Sequence, residues 1–108
     1  MSEAPMREPT FLVLTALAGE PRHGYAVIED VARMTEGRVK LRAGTLYAAL
    51  DRLRTEGLIE VDREEIVQSR LRRYYRLTGL GQRRLAAEAH RLRTQATIAE
   101  TRLRGAFA

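Results

Sequence analysis

Arg42-Ala43-Gly44-Thr45-Leu46-Tyr47-Ala48-Ala49-Leu50-Asp51-Arg52-Leu53 runs on to Glu56-Gly57-Leu58-Ile59, and the chain returns as Arg70-Leu71-Arg72-Arg73-Tyr74-Tyr75-Arg76-Leu77-Thr78. Leu46, Leu50 and Leu53 are spaced four and three apart, which stacks them as one stripe on a helix starting near Ala43. Tyr47, Asp51 and Arg54 form the neighbouring row. Gly57 supplies a left-handed stop, and Leu58 to Arg63 alternates as a strand. Along the returning strand Leu71, Arg73, Tyr75 and Leu77 point one way, and Arg70, Arg72, Tyr74 and Arg76 the other. A helix followed by an arginine-flanked hairpin suits a grip on a duplex: the helix enters a groove and the hairpin reaches the phosphates beside it.

Upstream, residues 1–9 hold Pro5, Pro9 and mixed charges without period, and read as a frayed, flexible tail. From Thr10, the expected N-cap, Phe11, Leu14, Leu17 and Ala18 fall on one helical face. Residues 19–24 have turn composition. A second helix over 25–36 places Tyr25, Ile28 and Ala32 on one face and ends near Gly37; Arg38 to Leu41 is short and β-compatible. His23, before Gly24 at that helix start, is expected to cap or pack.

Downstream, Thr78 caps a last helix. Leu85, Ala89, Leu92, Ala96, Ala99, Leu103 and Ala106 recur at alternating steps of four and three, a heptad seam that predicts a dimerisation arm. The expected fold is mainly α with a small β-hairpin wing: a tail over 1–9, a winged helix-turn-helix over 10–78 and a long C-terminal dimerisation helix over 79–108. The helix over 25–36 positions, the helix over 43–56 recognises, and residues 64–70 form the wing tip.

Charge supports a polyanionic partner. The formal net charge is +5, but residues 1–69 carry 9 Lys and Arg against 12 Asp and Glu, whereas residues 70–108 carry 10 Arg against 2 Glu. A solvated, arginine-rich helix face is the plainer reading of the arginines beyond residue 80. The absence of cysteine removes disulfides and thiolate chemistry and fits the cytoplasm. No apolar run approaches the length of a membrane span. His23 and His90 lie in different elements, no His pair has metal-ligand spacing and no phosphate-cradling glycine loop follows a strand, so no cofactor and no enzyme is expected.

The residues expected to meet DNA are Arg38, Lys40 and Arg42 before the recognition helix, Ala43, Gly44, Thr45 and Tyr47 in its opening turns, and Arg70, Arg72 and Arg73 on the wing. Small first-turn residues let the backbone approach closely, and a helix N-terminus offers free N–H groups to a phosphate. Packing against the wing is the alternative for Tyr47, and capping for Thr45. The dimer contact is expected at Leu85, Ala89, Leu92, Ala96, Ala99 and Leu103.

His23-Gly24-Tyr25, Gly44-Thr45-Leu46-Tyr47 followed by Leu50 and Arg52-Leu53, Glu56-Gly57-Leu58-Ile59 and Arg72 to Thr78 together resemble the PadR family of bacterial transcriptional regulators, over roughly residues 11–92 and in the manner of its short subfamily. The resemblance implies a homodimeric, usually repressive protein on palindromic operators, with Tyr47 and the Gly44-Thr45 turn facing DNA. It also implies a small aromatic or drug-like effector at the dimer interface of some relatives. This chain departs from the family pattern at Arg42-Ala43, where Ser then Pro is common, at Ala48, where Pro is common, and at Gln68-Ser69, where Gly often precedes the wing arginine. The rivals are a protein-interaction module with a basic arm and a nonspecific nucleic-acid binder.

Overall fold

The computed structural model describes residues 4–107; residues 1–3 of the expected tail and residue 108 of the expected arm lie outside the described residues. In chain order the elements are α1 (Glu8–Ala18), β1 (Arg22–His23), α2 (Gly24–Met34), α3 (Ala43–Thr55), β2 (Ile59–Val67), β3 (Arg70–Leu77) and α4 (Gly79–Phe107). The strands form one antiparallel sheet in the order β1-β3-β2. Four helices around this small sheet make the winged helix-turn-helix with its long closing helix.

The core lies where α1, α2, α3 and the base of the sheet meet. Leu46, Leu50 and Leu53 of α3 are fully buried, as their spacing requires, beside Leu14, Val27, Val31, Leu58, Ile59 and Tyr75. Two stripes differ from the expected ones. α1 buries Leu12, Val13, Leu14, Ala16 and Leu17, because it is covered on most sides; Ala18 is exposed. α2 buries Val27 and Val31, while Ile28 is only partly covered and Tyr25 stands in solvent. Tyr25 shares helical phase with Ile28 but sits at the first turn of α2, beside an open space that the wing also borders.

Other boundaries shift for local reasons. α1 starts at Glu8 with Arg7 as its N-cap and Pro9 in its first turn, where proline's missing N–H costs nothing. Thr10 is therefore inside the helix, and its hydroxyl accepts from Arg52 Nη2 at 2.9 Å. Within the expected tail, Met6 packs against the core and its N–H donates to Glu88 at 3.3 Å. Residues 39–42 join no strand; Val39 and Leu41 turn onto the core and Lys40 and Arg42 outward. The third strand comes from Arg22 and His23, in the expected turn, which pair with Tyr75 and Tyr74.

The wing is longer, and its tip tighter, than expected. Glu64 to Val67 continue β2, pairing as far as Val67 with Arg70, so the tip is Gln68-Ser69 rather than residues 64–70. Both tip residues have positive φ, 52° and 64°, the backbone signature of the mirror-image two-residue turn that matches strand twist. A bulge at Asp62 shifts the register between Val61 and Arg63.

α4 is fastened at its first turns only. Thr78 Oγ1 donates to the Gly57 carbonyl at 2.6 Å and accepts from the Gly81 N–H at 3.0 Å, so one hydroxyl caps α4 and ties it to the end of α3. Gly81 lies against Leu58: a β-carbon there would stand 2.0 Å from the Leu58 carbonyl oxygen. Glu88, 6% exposed, holds Arg91 and the Met6 N–H. Beyond Arg91 every described residue of α4 is exposed, and the helix draws the molecule out to 61 Å. No helix among the described residues is long and apolar enough to cross a membrane.

Candidate nucleic-acid interface

α3 is oriented by its leucine stripe. At 100° per residue, Leu46, Leu50 and Leu53 fix the inward direction, and Gly44, Ala48, Asp51, Arg52 and Thr55 fall on the outward side; all five are exposed. Arg42 is the N-cap residue, extended at φ −84°, ψ 150°, and its side chain makes no capping hydrogen bond. Ala43, Gly44 and Thr45 open the helix exposed to solvent, with no acidic residue in the first turn. The N–H groups there have no side-chain cap and carry the positive end of the helix dipole.

α2 sets the angle of that helix. His23 is the N-cap of α2; its Nδ1 accepts from the Ala26 N–H at 3.3 Å, and its ring meets Tyr74 edge-on, with centroids 5.3 Å apart. Burial lowers the His23 pKa below its ordinary value, and the Arg72 charge lowers it further. Gly24 then admits the Tyr47 ring, which is 48% exposed. Tyr47 thus packs on α2 rather than on the wing alone.

The wing faces the same space. His23, Gly24, Tyr47 and Asp51 border an open cleft whose far wall is Arg70 to Arg73. Of the expected site residues, Tyr47 of α3 and Arg70, Arg72 and Arg73 of β3 border this one cleft, whereas Ala43, Gly44 and Thr45 do not line it; Lys40 and Arg42 are exposed at the head of α3.

The cations are not equivalent, which charge counting alone does not reveal. Arg38 is held by both carboxylate oxygens of Glu8, at 2.8 and 3.1 Å, which raises its pKa and lowers that of Glu8. Arg73 pairs across the hairpin with Glu64 at 2.7 Å, and its pKa is likewise raised by that hydrogen bond. Arg76 bridges Glu60 and Asp62. Arg63 bonds Glu65 and Asp62 while its guanidinium lies 3.8 Å from the Tyr74 ring centroid. Among the described residues, Lys40, Arg42, Arg70 and Arg72 make no ion pair. The residues the sequence reading missed are thus the acidic partners, Glu8 and Glu64. Cross-strand pairing of Glu64 with Arg73 becomes legible only once the hairpin register is known.

The expected dimer residues divide into two groups. Leu85 and Ala89 are partly covered by the chain's own domain, whereas Leu92, Ala96, Ala99 and Leu103 are exposed. Phe107, 83% exposed, returns to the same helical phase and was not expected there. Ile98 is exposed on the opposite side. Among the described residues no group of three or more His, Cys, Asp or Glu could hold a metal.

A family model described as the transcriptional regulator PadR-like family matches residues 13–87. A PadR family transcriptional regulator from Eggerthella lenta is 28% identical, with a TM-score of 0.72 over 88% of this chain and 80% of its own. Bacillus subtilis PadR, solved in complex with operator DNA, is 22% identical with a TM-score of 0.67, over 75% of this chain and 47% of its own, which shows likeness of fold. An uncharacterized protein of Lysinibacillus sphaericus is 29% identical over 70 residues, 65% of this chain, and the match spans 64% of that relative's length.

Proposed function

The chain belongs to the PadR-like family of transcriptional regulators, and on that premise we propose that it is a cytoplasmic homodimeric repressor that binds a palindromic operator. The observation that carries this reading is the shared cleft: Tyr47 and Asp51 of α3 and the arginines of β3 border one open space, and α3 begins with no side-chain cap. That shape matches a duplex, whose major groove takes α3 while the flanking phosphates meet the wing.

Within this reading Lys40, Arg42, Arg70 and Arg72 supply the phosphate contacts, since they enter binding without an ion pair to break. Thr45 and the backbone of Ala43 and Gly44 approach the groove, and Tyr47 offers its hydroxyl to the phosphate backbone. Arg38 and Arg73 contribute less, because Glu8 and Glu64 already neutralise them. The exposed part of α4 pairs with its copy, setting two α3 helices about 34 Å apart on successive major grooves.

Footprinting on the DNA around the chain's own gene tests the proposal. A protected inverted repeat, with a large ratio of specific to nonspecific affinity, is expected. Uniform binding to every duplex would favour a nonspecific binder, and no binding a protein-interaction module.

A further inference from the structure

Past its first turn, the outward side of α3 is poor in groups that can read a base. Ala48 has no polar side-chain atom. Arg52 is occupied, donating to Thr10 at 2.9 Å and pairing with Glu56 at 3.5 Å. The Thr55 hydroxyl donates to the Asp51 carbonyl at 3.1 Å. Asp51 remains, the only carboxylate within α3. It is exposed and borders the cleft with Tyr47, Arg72 and Arg73, yet among the described residues its carboxylate has no hydrogen-bond or ion-pair partner.

A carboxylate aimed at a duplex is repelled by the phosphates, so on an α-helix entering the major groove it is unfavourable unless it meets a donor. Two donors line that groove, the amino groups of cytosine and adenine. Adenine sets its amino group beside the N7 acceptor, which repels a carboxylate, whereas the cytosine edge carries only the amino donor. Resting on the DNA-binding reading above, we propose that Asp51 is a specificity-determining residue that accepts a hydrogen bond from a cytosine amino group, fixing one C·G pair in each half-site. Asp51 then acts in two directions at once: it lowers affinity for duplexes in general and restores it where a cytosine stands opposite.

The test is selection of binding sites from a pool of random duplexes by the full chain and by its Asp51→Ala and Asp51→Asn variants, with binding to one scrambled duplex measured alongside. The full chain is expected to select a fixed C·G pair in each half-site. Asp51→Ala loses preference at that pair alone, a fall of about tenfold in discrimination, and Asp51→Asn moves the preference toward A·T, since an amide pairs with adenine. On the scrambled duplex both variants bind about threefold more tightly at low salt. If Asp51→Ala selects the same bases at every position as the full chain, the inference is overturned and the DNA-binding reading stands. If the full chain selects no sequence at all, that reading itself falls.

Discussion

A β-carbon on Gly24 would stand 2.6 Å from the Tyr47 phenol oxygen and 2.9 Å from its Cζ, so α2 and α3 cross where a hydrogen leaves just enough room for the ring. The His23-Gly24-Tyr25 and Gly44-Thr45-Leu46-Tyr47 motifs, twenty residues apart in the chain, are two halves of this contact.

Gly24→Ala should therefore act on function more than on stability. Tyr47 is half exposed and can swing away, and alanine gains helix propensity, so the unfolding free energy should stay within about 1 kcal/mol of the native value. DNA affinity should fall about fivefold as the displaced hydroxyl loses its contact. Gly81→Ala is the contrast: its neighbour is the Leu58 backbone carbonyl, 2.0 Å away, which cannot swing aside. About 3 kcal/mol of stability should be lost there. Urea unfolding of both variants beside a binding titration checks the pair; equal destabilisation by the two would contradict the argument.

The wing arginines should separate by their partners. Arg70→Ala and Arg72→Ala should each lower the slope of log affinity against log salt by roughly one. Arg73→Ala should lower it by less, because Glu64 already neutralises that charge. Glu64→Gln should do the reverse of an arginine deletion, releasing Arg73 and raising affinity up to about fivefold. Binding measured across a salt series decides this; an unchanged affinity for Glu64→Gln would mean that Arg73 does not face the phosphates.

His23 should make stability depend on pH just below neutrality. Its pKa is lowered in the folded chain by burial and then by Arg72, with Glu29 and Glu65 opposing, so the unfolded chain takes up the proton more readily. Stability is then complete above the unfolded value, 6.5, and declines as pH falls from there through the lowered folded value. Protonation at Nδ1 would also turn the acceptor for the Ala26 N–H into a donor. His23→Asn keeps a capping acceptor without the titration, so urea midpoints between pH 7.5 and 5.5 should flatten. A slope as steep in the variant as in the native chain would place the titration elsewhere.

Much of this fold was legible because its decisive signals are local. The Leu46-Leu50-Leu53 stripe, the Gly57 stop and the Thr78 cap each act within a few residues, and each fell where its spacing put it. The signals that failed are those set by distant partners. Arg22 and His23 read as turn residues and became a strand because Tyr74 and Tyr75 offered an open edge. Met6 read as part of a tail, and its backbone N–H is held by Glu88, 82 residues away. The candidate site divides in the same way. Its cations could be counted in the sequence, but the Glu8 and Glu64 that neutralise two of them are brought near only by the fold.

The exposed part of α4 leads to a final expectation. From Leu92 to Phe107 no other described element covers the helix, and a stretch of that length is marginal in water without a packing surface. Leu92, Ala96, Ala99, Leu103 and Phe107 share one side of it, so pairing with a second copy would bury a continuous apolar strip, with alanines allowing close approach. Leu92→Glu combined with Leu103→Glu should give a monomer by sedimentation at micromolar concentration. The winged part should stay folded, because Leu85 and the Thr78 cap lie outside the substituted stretch. Operator affinity should fall at least a hundredfold while affinity for nonspecific duplex changes little, since only the specific complex needs two half-sites held at fixed spacing. A native chain that sediments as a monomer under the same conditions would overturn the arm's role, and with it the expectation of a palindromic site.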